Sequence, residues 1–97
     1  MAIASFAPTA AVEMAVTATS SQVALPTTGT PTIALLTNLG IQPVFVTLGA
    51  SSAVVAVAGA CAVVLPGRSL ALTIGTNTNI AAVTLTGVAG LNVAVGT

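Results

Sequence analysis

Apolar and polar residues alternate along this chain in short runs separated by turn-forming residues. In "LALTI", Leu70, Leu72 and Ile74 share one face. In "IAAVTLT", Val83 and Leu85 face one way, and Thr84 and Thr86 the other. In "VFVTL", Phe45 alternates with Val44 and Val46 as a core residue of a strand, and the parity leaves open which of the three points inward. A period of two is the signature of a pleated strand. Nine such runs, rich in Val, Ile, Leu and Thr, occupy residues 13–19, 21–25, 32–37, 44–48, 53–58, 60–65, 69–74, 80–86 and 91–95.

The breaks between runs carry their own chemistry. They read "PTTGTP", "NLGIQP", "GASS", "LPGR", "GTNTN" and "GVAG". Gly, Pro, Asn and Ser are the residues a reversing backbone needs. In "LPGR", Pro66 presets φ and Gly67 tolerates a positive φ, which predicts a type II turn. Asn38 and Asn79 sit at breaks, where their side chains can bond nearby backbone. Many short strands at even spacing predict an all-β fold: a small antiparallel β-sandwich or jelly roll of about eight strands, with no helix longer than two turns.

The first dozen residues, "MAIASFAPTAAV", lack a clear period. They are expected to form an extended N-terminal arm, residues 1–12, ahead of a single sandwich domain, residues 13–97. Ile3 and Phe6 have no local core to enter there. They are expected to dock as anchors on a neighbouring subunit.

Composition then narrows the function. Hydrophobic residues make up 56% of the 97 residues and aromatics only 2%, so the core must be built from Val, Leu, Ile and Ala. Charge is the anomaly. Arg68 is the only cation and Glu13 the only anion. Ordinary surfaces rely on charge to keep copies apart. A chain without it is expected to live inside an assembly, as a homo-oligomer with an apolar, Thr-rich interface and almost no salt bridges. Glu13 and Arg68 have three open readings: ordinary exposed side chains, a pair with each other within or between subunits, or contacts with a larger partner. The lack of a basic patch argues against nucleic acid as a partner.

The residues of most catalytic and metal sites are missing. There is no His, and one acid cannot form a carboxylate pair. Cys61 alone makes neither an intrachain disulfide nor a thiolate metal site. In "AGACAVV" it reads as a small buried hydrophobe, with an intermolecular bridge or a reactive thiol as the alternatives. No phosphate-binding glycine loop occurs. No enzyme activity, catalytic residue, metal or cofactor is therefore expected.

Two segments bear on a membrane reading. "MAIASFAPTA" lacks the positive n-region of a signal peptide. Residues 44–65 are long enough to span a bilayer as a helix. They are rich in β-branched Val and contain "GASS", and the chain has no Trp or Tyr for an interfacial belt. A small membrane protein spanning at 44–65 stands as an alternative, with no membrane partner preferred.

The succession "AVTATSSQVALP", "TIALLTNLGIQPVFVTLG", "VVLPGRSLALTIG", "NIAAVTLTG" and "LNVAVG" resembles small virion proteins of tailed bacteriophages. The likeness covers most of the chain, from Ala15 to Gly96. The resemblance implies a capsid decoration or cement protein on the outer surface of the capsid, with the major capsid protein and further copies of itself as partners. A trimer is preferred over a dimer. A head-fibre or tail-associated adhesin module is the alternative virion role. Adhesins usually hold a sugar with aromatic or charged groups, and this chain has no Trp or Tyr.

Overall fold

A computed structural model of the chain describes residues 8–59 and 61–97. Eight strands run in chain order: β1 (Pro8–Val16), β2 (Ser21–Ala24), β3 (Ile33–Asn38), β4 (Val44–Gly49), β5 (Ala62–Val64), β6 (Ser69–Thr73), β7 (Asn79–Thr84) and β8 (Ala89–Gly96). They form two antiparallel four-stranded sheets, ordered β1-β8-β3-β6 and β2-β7-β4-β5. We call these sheets I and II. Strand one pairs with eight, two with seven, three with six and four with five. That nesting is one long hairpin rolled into two layers, the jelly-roll order. The radius of gyration, 12.5 Å, is that of one compact domain of this length.

The pleat explains the core. Met14 and Val16 of β1, Ala34 and Leu36 of β3, and Leu91, Val93 and Val95 of β8 point inward from sheet I. Val44 and Val46 of β4, Val64 of β5, and Ile80 and Ala82 of β7 meet them from sheet II. Leu70 and Leu72 pack against this core and Ile74 is buried in it, so the face inferred from "LALTI" is the inner one. Aliphatic side chains of this size fill the thin layer between two sheets.

Several expectations are corrected. Residues 53–58 form no strand. They belong to the 50–61 connection, part of which lies over the outer face of sheet II. Two of their N–H groups find side chains instead of a ladder: Ala56 donates to Ser20 Oγ at 2.9 Å and Val57 to Cys61 Sγ at 3.3 Å. Beneath them, Phe45 joins Ala56, Ala81 and Val83 in a second apolar cluster. The inward pair in "VFV" is thus Val44 and Val46, and Phe45 points outward under cover. β7 is consequently buried along its whole length. The polarity of "VTLT" is not the ordinary one either. Thr84 is buried, its hydroxyl donating to the Gly87 carbonyl at 2.8 Å, and Leu85 is exposed.

The expected arm is not borne out over residues 8–12. Residues 8–12 belong to β1, pairing with β8 through a bulge at Thr9. The Thr9 hydroxyl reaches the Thr28 carbonyl at 2.6 Å. Ile3 and Phe6 lie outside the described residues. Residues 44–65 are β4, the covering connection and β5, rather than the helix the membrane reading required. Among the described residues no helix is long and apolar enough to cross a membrane.

Candidate docking surface

A rolled hairpin puts alternate connections at opposite ends of the sandwich. The β1–β2, β3–β4, β5–β6 and β7–β8 connections share one end. The β2–β3 and β6–β7 connections share the other, and the β4–β5 connection starts from it.

The first end is organised around Asn38, the last residue of β3, which is fully buried. Its side-chain amide donates to the Gln42 carbonyl at 2.6 Å and to the Val64 carbonyl at 2.9 Å. Its Oδ1 accepts from Gly40 N at 2.9 Å. Its backbone N–H donates to the Arg68 carbonyl at 3.0 Å, and its carbonyl accepts from Gly67 N at 3.0 Å. One residue therefore ties the β3–β4 loop to the β5–β6 turn. That turn has the expected form: Arg68 N donates to the Leu65 carbonyl at 3.0 Å, and Gly67 has φ +71°. The start of β8 joins through Leu39 N, which donates to the Gly90 carbonyl at 2.8 Å, and the β7–β8 loop through Gly87, which lies beside Gln42.

These three linked loops carry large apolar side chains outward. Leu39 and Ile41 stand on the β3–β4 loop, Leu65 on the β5–β6 turn, and Leu85 and Val88 on the β7–β8 loop. The opposite end is different in kind. Its loops are mostly Thr, Pro, Gly and Asn, around a groove of about 210 Å³ whose apolar floor is Leu25 and Ile74. A wider cleft of about 410 Å³ opens at the sandwich edge, lined by Val46, Leu48, Cys61 and Leu72. Cys61 is half-buried, free, and packed against the cluster under the 50–61 connection.

The two charges are not brought together. Arg68 is exposed on the turn leading into β6, at one edge of sheet I. Glu13 is exposed on β1, the opposite edge, opposite Asn92 in register. Strands β8 and β3 lie between, so a pair within the subunit is ruled out. Arg68 belongs to the apolar end, Glu13 does not. Among the described residues no group of three His, Cys, Asp or Glu side chains comes together to hold a metal.

The apolar loop residues were missed because their segments read as punctuation. A signal was present: "NLGIQP", "LPGR" and "LTGVAG" each set Leu, Ile or Val beside turn residues, whereas "PTTGTP" and "GTNTN" contain none. No protein-family model matches the chain, and no curated protein matches it in sequence.

Proposed function

We propose that this chain is a structural subunit of a larger assembly, and specifically a capsid decoration or cement protein on the outer surface of a phage head. The observation that supports it is an apolar loop end on a chain with one cation and one anion. Large apolar side chains exposed together on linked loops of a small domain mark a contact site. Without charge, solubility favours a protein that is covered by its partners. A protein that binds only the assembled shell stabilises it by mass action, and symmetry repeats each weak contact. The major capsid protein and further copies of the chain, with a trimer preferred, are the partners in this reading. Ile3 and Phe6 would anchor a neighbouring subunit ahead of β1.

The test is to co-express the chain with the major capsid protein of the same genome and pellet the assembled shells. The chain should pellet with shells and raise their melting temperature. Deleting residues 1–7 should weaken pelleting and leave the fold intact, because the cut stops short of β1. A full chain that stays in the supernatant beside intact shells would refute the cement reading.

A further inference from the structure

The loop end is built for burial as well as exposed. The backbone N–H groups of Leu39, Gly40, Gly67 and Arg68 all donate within the molecule. Covering this end would strand none of these four donors, which lowers the cost of desolvating it. The side chains it offers are aliphatic. Its one charge is Arg68 on the turn, and no anion lies on these loops. Such a surface asks for a partner that is predominantly apolar.

We infer that a second copy of this chain seats on the loop end, joining subunits through Leu39, Ile41, Leu65, Leu85 and Val88. The inference rests on the reading of the chain as an assembly subunit and names the occupant of this end. Area supports the choice. The five residues are exposed by 61, 84, 51, 63 and 67% respectively. At roughly 150–200 Å² for a fully exposed residue of this size, one copy presents about 500–650 Å². Covering all five on both copies would bury at most about 1,000–1,300 Å², which reaches the size needed for a specific but weak interface. The partner's chemistry agrees as well. An identical end is apolar, lacks an acid, and brings only one further cation to the contact. Zero net charge leaves no long-range repulsion between copies.

The experiment is sedimentation equilibrium of the full chain across about 1–500 µM, the range in which an interface of this size assembles. The wild type should show a mass above the monomer that grows with concentration. Because the only charges at the contact are two like ones, an Arg68 from each copy, this mass should not fall as salt is added. Ile41→Asp and Val88→Asp, both on exposed loop positions, should each weaken association about tenfold or more. Thr76→Asp, on the opposite end, should leave association unchanged. Circular dichroism checks that all variants keep the β spectrum.

A wild type that remains monomeric throughout overturns the inference, and so does an oligomer that both loop variants leave intact. The cement reading fails separately. A chain that self-associates through this end but ignores shells keeps the inference and loses that reading. A monomeric chain whose shell binding is lost in Ile41→Asp does the reverse.

Discussion

Asn38 Nδ2 donates a 2.9 Å hydrogen bond to the Val64 carbonyl, joining the last residue of β3 in one sheet to the last residue of β5 in the other. The same side chain also serves Gln42 and Gly40, so a single amide satisfies two carbonyls and one N–H. Asn38→Ala leaves these groups without partners where the site is buried. Each unmet buried group costs about 1–3 kcal/mol, and relaxation with water entry recovers part of it, so a loss of about 2–4 kcal/mol is expected. Urea unfolding of the two proteins measures it. A loss below 0.5 kcal/mol on that scale would remove Asn38 from its organising role.

Two glycines at this end fail for different reasons when replaced. A Cβ on Gly40 would lie 2.8 Å from the Ala89 Cβ and 2.9 Å from its Cα, so Gly40→Ala is an overpacking change. It should destabilise by about 1–3 kcal/mol. A Cβ on Gly67 meets nothing within 4 Å, so Gly67→Ala pays only for the positive φ of the turn, about 1–2 kcal/mol. Gly67→Asn should recover part of that loss, since Asn tolerates this region, whereas Gly40→Asn should be worse than Gly40→Ala. The ranking of the four melting temperatures checks both statements.

Ser21 opens β2 opposite Ala82, with its hydroxyl buried and without a hydrogen-bond partner among the described residues. A polar group in that state costs more than an apolar one of similar size. Ser21→Ala should therefore stabilise the protein, by about 0.5–1 kcal/mol. A lower unfolding midpoint in the variant would mean that the hydroxyl finds a partner.

Strand periodicity was legible because it reflects the pleat itself. Leu70, Leu72 and Ile74 fall on the inner face as their spacing requires, and the Pro66–Gly67 turn has its expected form. What sequence could not supply was the outside of each sheet. Residues 53–58 have strand composition, yet the Ala56 and Val57 N–H groups go to Ser20 and Cys61 side chains. Valine on a covering segment looks like valine in a strand. Residues 8–12 lack a period but pair with β8, because an edge strand needs only one partner and tolerates exposed alanine. The apolar loop end was hidden by the same logic. Gly, Pro and Asn announce a turn, and nothing in one loop tells that two others will meet it. Rolling the hairpin does that, through contacts separated by tens of residues.

The cover over sheet II gives the last prediction. Phe45 is half-buried beneath the 50–61 connection, in the cluster with Ala56, Ala81 and Val83, and Cys61 packs beside it. Among the described residues few hydrogen bonds join this connection to the rest of the fold, so apolar contact with Phe45, Ala81 and Val83 is its main attachment. Phe45→Ala should cost less than truncating a fully buried phenylalanine, about 1.5–3 kcal/mol, because the site lies outside the main core. The more telling readout is local. With the ring gone, the connection should lift more often, and Cys61 should react faster with a thiol reagent under native conditions. Hydrogen exchange at Ala56 and Val57 should quicken in step, while the inner-face residues of β8 remain protected. Ala71→Gly, on the exposed face of β6, is a control that should leave Cys61 reactivity at the wild-type rate. If Phe45→Ala lowered stability without changing the Cys61 rate, the ring would support sheet II alone, and the connection would be held by its other contacts, the Ala56–Ser20 bond among them.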